Sequence, residues 1–333
     1  MFAKGHTMKI LRRDLLHMAG ATLGLPAVLR TAHAQAWPSK ALRVVIPTGA
    51  GSATDVVPRI IFEPLSVQLG KPIIVENRPG AGGTIGTNAV AKAEPDGYTL
   101  LAISSSYTVL PWVYPKLPYD PVRDISAIIS LGSLPTVLVT SPAKGFKTIG
   151  EFVASARAKP GSFNYTSTGT GNATHLNAER FRASAGIEAV HIPVKSGPEA
   201  LTEVISGRAE LYFCPIGTAL PFIRDGKLRS LVISAPNRAV ELPYVPTTAE
   251  AGFVDADYTL WIGLFAPAKT SRAIVARLHD ETARAMQSTN VRDRLAALGV
   301  VPMPMTSEQF DTRIREEIVS NAALVKAAGI RPE

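Results

Sequence analysis

Twice the chain writes nearly the same eight residues between a β-branched run and a helical stretch. The first block is Thr48-Gly49-Ala50-Gly51-Ser52-Ala53-Thr54-Asp55; the second is Thr168-Gly169-Thr170-Gly171-Asn172-Ala173-Thr174-His175. Five of the eight positions are identical. Strand, glycine turn and helix in that order are what a parallel α/β layer requires, because the turn lies at the carboxyl end of the strand. Two copies in one chain imply two α/β halves presenting the same device to a shared cleft.

The rest of the chain fits that frame. Leu42–Ile46 reads as a strand, and residues 56–69 have helical apolar spacing ending at Gly70. Strands are expected at 73–75, 98–103 and 125–131, with a helix at 84–93. The order then repeats: strands at 136–140, 163–166, 190–194, 209–213 and 228–234, helices at 149–158, 174–185 and 199–206. No Gly/Ser linker separates the two sets, so the halves should share crossing strands, with 261–266 as a return strand. The expected division is lobe one over 37–133 and 256–333, and lobe two over 134–255.

The repeated turn has a physical use. A helix begins with unpaired N–H groups and partial positive charge, and glycines before it let a ligand approach the backbone. Ser, Thr and Asn there cap the helix or donate protons. Such a turn holds a carboxylate or phosphate without a buried lysine. The candidate ligand contacts are Thr48, Gly49, Gly51, Ser52, Ala53 and Thr54 in the first turn, and Thr168, Gly169, Thr170, Gly171 and Asn172 in the second. Asp55, being negative, should cap its helix or position water; His175 could donate to a second carboxylate. A third glycine turn, Gly80-Ala81-Gly82-Gly83, adds Gly82, and Ser104 at the end of the third strand completes this set. The spacing excludes a dinucleotide fingerprint, since Thr54 and Ile85 stand where glycine or alanine is needed; no P-loop lysine follows either turn. No cofactor is expected.

Residues 1–36 read as a cleaved export signal. Arg12 and Arg13 precede an apolar run from Leu15 to Leu29, followed by Ala32-His33-Ala34 and Ala34-Gln35-Ala36, small-x-small patterns for cleavage after 34 or 36. Pro26 and Arg30 interrupt the run, and no later stretch reaches membrane-spanning length. The paired arginines partly match a twin-arginine signal, leaving that route and the Sec route both open. The expected compartment is the periplasm. Of the net charge of +8, this segment holds five basic residues and one acidic; the remaining 30 basic and 26 acidic side chains, net +4, are scattered without runs or interleaved aromatics. Nucleic-acid binding is unsupported by that pattern.

An enzyme of similar build needs a nucleophile, a base and an orienting group in reach of one another. Cys214, the only cysteine, with His175 or His191 as base is the one candidate set. A single cysteine flanked by apolar residues is more often a small core hydrophobe, and His191, alternating with apolar residues, reads as a core or cleft-edge side chain. No metal cluster is expected from these histidines.

Several longer segments are distinctive together: Trp37-Pro38-Ser39-Lys40, Gly51-Ser52-Ala53-Thr54-Asp55, Val75-Glu76-Asn77-Arg78-Pro79-Gly80-Ala81-Gly82-Gly83, Pro95-Asp96-Gly97-Tyr98-Thr99-Leu100, Tyr114-Pro115-Lys116-Leu117-Pro118-Tyr119-Asp120-Pro121, Val245-Pro246-Thr247-Thr248-Ala249-Glu250-Ala251-Gly252 and Gly263-Leu264-Phe265-Ala266-Pro267. From Trp37 to near Ile330 the chain resembles the solute-binding proteins of tripartite tricarboxylate transporters, the Bug or TctC-type family. That resemblance implies a type II periplasmic-binding-protein fold, closing by hinge motion on a small organic carboxylate. It implies a monomer that serves a large and a small membrane subunit. A periplasmic sensor subunit with the same pocket is the alternative role, and a hydrolase a further one. Two departures bear on the ligand. Thr48 follows Pro47 where the family usually has an aromatic residue, and Cys214 follows Phe213 where it usually has an aspartate. Cys214 thereby joins the candidate pocket residues. Loss of that aspartate disfavours an amino-acid ligand and favours a less polar carboxylate.

Overall fold

The computed structural model describes residues 37–327, together with Phe2. The expected export signal lies outside the described residues. The strands are β1 (Leu42–Ile46), β2 (Ile73–Asn77), β3 (Thr99–Ser104), β4 (Ile125–Leu134), β5 (Thr136–Thr140), β6 (Phe163–Ser167), β7 (Ala189–Pro193), β8 (Tyr212–Pro215), β9 (Arg229–Ser234) and β10 (Leu260–Pro267). The helices are α1 (Ala53–Leu69), α2 (Thr84–Ala91), α3 (Leu110–Val113), α4 (Ile149–Ala158), α5 (Ala173–Ala185), α6 (Gly197–Ile205), α7 (Ile216–Arg224), α8 (Arg272–Gln287), α9 (Thr289–Ala297) and α10 (Ser307–Ala327).

One sheet has the order β2-β1-β3-β10-β4, with β1 parallel to β2 and β3, and β10 antiparallel to β3 and β4. The other set comprises β8-β5-β9, antiparallel about β5, and the parallel pair β6-β7. A parallel bridge from Tyr165 to Leu211 brings β6 beside the start of β8. The two α/β lobes are joined where β4 passes through Pro135 into β5, and again where the chain returns into β10. Strands covered on both faces are predominantly apolar, and every residue of β5 and β10 is buried, with Thr136 and Thr140 at the ends of β5 the polar exceptions.

Each lobe has its own core. Val45, Leu101, Trp261, Phe265 and Phe310 pack together in the first. Phe152, Phe163, Phe181 and Phe213 pack on one face of the second sheet, and Val137, Val139, Leu201 and Cys214 on the other. Two sequence expectations shift. Strand β4 runs past Gly132, which adopts φ +123° without ending the pairing. The strand expected from Ala209 begins only at Tyr212, because the amides of Arg208 and Ala209 close α6 by donating to the Glu203 carbonyl.

Candidate functional site

The repeated blocks fold into the same turn. Gly51 and Gly171 adopt φ +79° and +75°, the left-handed region that glycine enters without a Cβ penalty. Ser52 and Asn172 follow as extended N-cap residues, and each donates its amide to the glycine carbonyl three residues back, at 3.4 Å in both turns. The Gly51 amide donates to Asp55 Oδ2 at 2.9 Å, and the Gly171 amide donates to His175 Nδ1 at 3.0 Å. The third residue of each helix thus ties its own turn by the same contact.

In the first turn the rest of Asp55 is spent internally. Oδ1 accepts from Arg59 Nε at 2.8 Å and from Asn77 Nδ2 at 2.9 Å. Asn77 also donates to the Thr48 carbonyl, fastening the turn to the end of β2. Burial pushes the Asp55 carboxyl up, but hydrogen bonds from Gly51, Asn77 and Arg59 outweigh it and hold the pKa below the ordinary carboxylate value. Its negative charge is matched by Arg59. Ser52 makes no side-chain cap; its hydroxyl instead meets Thr48 Oγ1 at 3.0 Å. The first amides of α1, those of Ala53 and Thr54, therefore keep their donors, as helix geometry dictates. An added Cβ at Gly49 or Gly51 would meet nothing within 4 Å, so these glycines border open space.

The second turn is closed by its own side chains. Asn172 Oδ1 accepts from the amides of Thr174 and His175, both at 3.1 Å. Asn172 Nδ2 donates to Thr168 Oγ1, and the Thr168 amide donates to Thr174 Oγ1. Thr170 is exposed at the tip. The two turns share a backbone but differ in how many donors they leave unspent.

His175 does not face the cleft as a donor. It is buried, with Nδ1 accepting from Gly171 and Nε2 3.1 Å from the Tyr165 hydroxyl. That hydroxyl donates to Glu179, which Arg182 grips through Nε at 3.0 Å and Nη2 at 2.9 Å. The expected contact of His175 with a second carboxylate is thus corrected: both ring nitrogens are occupied. His191 stacks on it, ring centroids 3.9 Å apart and 6° from parallel, and bonds Ser167 Oγ at 2.7 Å. Burial, then the charges of His191 and Arg182, depress the His175 pKa to about 3; burial brings His191 to about 4.

Cys214 is corrected as well. It is fully buried opposite Val137 in the β5–β8 pair, among Leu201, Ile233 and Val139, so it cannot touch a ligand from there. Burial pushes its thiol far up, away from a nucleophilic thiolate. Among the described residues no group of three or more His, Cys, Asp and Glu could hold a metal ion.

Gly82 and Gly171 meet the same short helix. A Cβ on Gly82 would lie 2.9 Å from Tyr114 Cε2 and 3.4 Å from Leu110 Cδ2; one on Gly171 would lie 3.3 Å from Val113 Cγ2. Helix α3 and the tyrosine after it thus seat the third turn of lobe one and the second turn of lobe two. Ser104 is buried, its hydroxyl 2.9 Å from that of Ser106. Sequence reasoning missed Arg59, Asn77, Val113, Tyr165 and Glu179. Two of them were within reach: Arg59 and Glu179 stand four residues after Asp55 and His175, one helical turn on.

Comparisons with known proteins bear on the family and the fold. Residues 57–330 match the family described as tripartite tricarboxylate transporter family receptor. The chain is 32% identical over 319 residues to protein BugT of Bordetella pertussis, covering 95% of this chain and 98% of that one. The structure superposes on R. palustris Rpa4515 with adipate at a TM-score of 0.82 and 27% identity, covering 89% of this chain and 100% of that one. It superposes on MatC (Rpa3494) from Rhodopseudomonas palustris with bound malate at 0.79 and 31% identity, covering 87% and 100%.

Proposed function

The chain belongs to the tripartite tricarboxylate transporter receptor family, and from that premise we propose how it captures its ligand and whom it serves. Its function is that of a carboxylate-binding receptor for tripartite transport. In our reading lobe one spans 37–133 and 256–333, lobe two spans 134–255, and the ligand lies between the turns at Thr48–Asp55 and Thr168–His175. The observation that carries this is the unspent pair of amides at Ala53 and Thr54 beside an aspartate whose charge Arg59 neutralises. A carboxylate there receives backbone N–H groups and the one hydroxyl proton that the Thr48–Ser52 pair leaves free, without facing net negative charge. Each charged hydrogen bond contributes roughly 1.5–3 kcal/mol, so lobe two must add contacts before closure is favourable. Thr170 at the exposed tip and Gly82 and Ser104 on the lobe-one side are the further contacts we assign.

Export to the periplasm, a monomeric state, delivery to a large and a small membrane subunit, and the absence of catalysis complete the proposal. Position 214 is buried opposite Val137 and out of a ligand's reach, so the missing aspartate there says nothing about an amino group. The adipate and malate held by the related structures support a simple carboxylate. Native mass spectrometry of freshly purified protein, followed by calorimetry with adipate, malate and amino acids, tests the ligand class. Tighter binding of an amino acid than of any simple carboxylate would overturn it. Incubation with the same panel tests for turnover, and any sustained conversion would make the protein an enzyme.

A further inference from the structure

Lobe two touches lobe one at a second place, away from the glycine turns. Gly217, in the first turn of α7, lies so close to the end of α9 that an added Cβ would sit 2.2 Å from the Leu298 carbonyl oxygen and 2.4 Å from its carbonyl carbon. Both are backbone atoms, so no rotamer change relieves the clash. A Cβ on Gly299 would in turn lie 3.2 Å from the Gly217 nitrogen. Gly217 itself is outside the positive-φ glycines. Helical backbone there would accept alanine with a gain in propensity, so its bareness serves the approach and not the local fold.

Both sides of this contact are anchored at the crossover. Ser133 exchanges two backbone hydrogen bonds with Val301, at 2.9 and 2.8 Å; two residues later the Pro135 carbonyl accepts from Ile216 at 3.0 Å. The contact therefore sits within a residue or two of the hinge axis. Its side is set by sheet order. Strand β4 has β10 on one edge, with β3 and β1 beyond, while Val301 bridges its other edge. The turn after β1 is thus on one side of the crossing strands and the Gly217–Leu298 contact on the other. A cavity of about 470 Å³ opens beside that contact, lined by Pro135, Ile216, Ala235 and Val300 among others, and leaves room for the lobes to tilt.

We propose that Gly217 against the Leu298–Gly299 backbone is the rear bearing of the hinge: the contact that limits how far the ligand cleft opens. On a pivoted pair of lobes, spacing the rear apart rotates the front together. Gly217 and Ile216 are then positioning residues for capture, acting on the closure equilibrium without touching ligand. The proposal rests on the two-lobe reading above, but its test uses ligand-free protein and so stands or falls separately from the ligand site.

Spin labels on Arg78→Cys and Lys195→Cys mark exposed positions just beyond β2 and β7, the edge strands on the ligand side. Cys214 is buried and should escape labelling. In ligand-free protein, Gly217→Ala should shorten the mean label distance relative to the parent. Ile216→Ala, which removes bulk behind the contact, should lengthen it. Gly150→Ala, whose nearest neighbour would be Thr148 Oγ1 at 3.8 Å, should leave it unchanged. General destabilisation cannot move two variants in opposite directions. Unchanged distances in both, or shifts of the same sign, would overturn the bearing; if Gly217→Ala does not fold, the Ile216→Ala distance alone decides.

Discussion

The Gly171 amide donates to His175 Nδ1 at 3.0 Å, where the sister turn has Gly51 donating to Asp55 at 2.9 Å. One backbone device is thus tied by a neutral acceptor in lobe two and by a charged one in lobe one. The neutral choice places no anion beside the second turn, and Tyr165, Glu179 and Arg182 hold the ring in the tautomer that keeps Nδ1 free to accept.

Replacing His175 with alanine should orphan the Gly171 amide and remove the Nε2 contact to the Tyr165 hydroxyl, while His191 still stacks on Tyr165. An unsatisfied buried polar group costs about 1–3 kcal/mol, and the lost packing adds to it. Denaturant unfolding reads the loss, and calorimetry should show weaker carboxylate binding. His175→Asp should do worse, because it buries a second carboxylate near Glu179; a variant as stable as the parent would mean the tie is dispensable.

Acid should weaken this protein through the stacked pair. The folded-state values are depressed to about 3 for His175 and about 4 for His191, below the ordinary 6.5. Between pH 6.5 and about 4 the unfolded chain therefore binds protons that the folded chain refuses. Stability is full above pH 6.5 and falls as pH drops, by up to about 1.4 kcal/mol per pH unit for each histidine. Melting temperatures from pH 7.5 to 4 should decline, and His191→Gln should flatten the slope; a flat parent profile would contradict the buried neutral pair.

Asp55→Asn should keep one acceptor oxygen but leave Arg59 without its counter-charge. Charge-assisted hydrogen bonds of this kind contribute about 1.5–3 kcal/mol, so the first turn should loosen and affinity should fall about tenfold or more. Calorimetry with the retained ligand checks this. Tighter binding would show that Asp55 repels the anion more than it organises the turn.

Gly171→Val and Cys214→Ser form a contrasting pair. Valine at Gly171 meets a φ of +75° and Val113 Cγ2 at 3.3 Å from its Cβ, so it should lower affinity more than tenfold. Serine at Cys214 places a hydroxyl in an apolar core and should cost about 1–3 kcal/mol of stability. It should nevertheless bind nearly as well as the parent. Calorimetry on folded samples separates them, and equal affinities would reduce the second turn to a capped loop.

The sequence by itself determined the α/β alternation, the two lobes and the twin glycine turns. These depend on local signals: apolar periodicity, glycine where φ must be positive, and Ser or Asn at a helix start. It also pointed to Asp55 as a residue that serves the start of its own helix, and Asp55 accepts from the Gly51 amide of its turn. Only the tertiary structure decided which donors remain unspent. Both Ser52 and Asn172 reach the threonine four residues back, but the side-chain amide of Asn172 has a second polar atom left to cap its helix, while the single hydroxyl of Ser52 is engaged by Thr48. Nor could spacing reveal that His175 is walled in by Tyr165 and His191, or that Cys214 faces Val137; those partners come from other strands. The same holds for Gly217, whose need for a bare Cα arises from the Leu298 carbonyl of the other lobe. Helix starts and turns are written within a few residues, whereas burial and hydrogen-bond occupancy are properties of surfaces that meet only after the chain has folded.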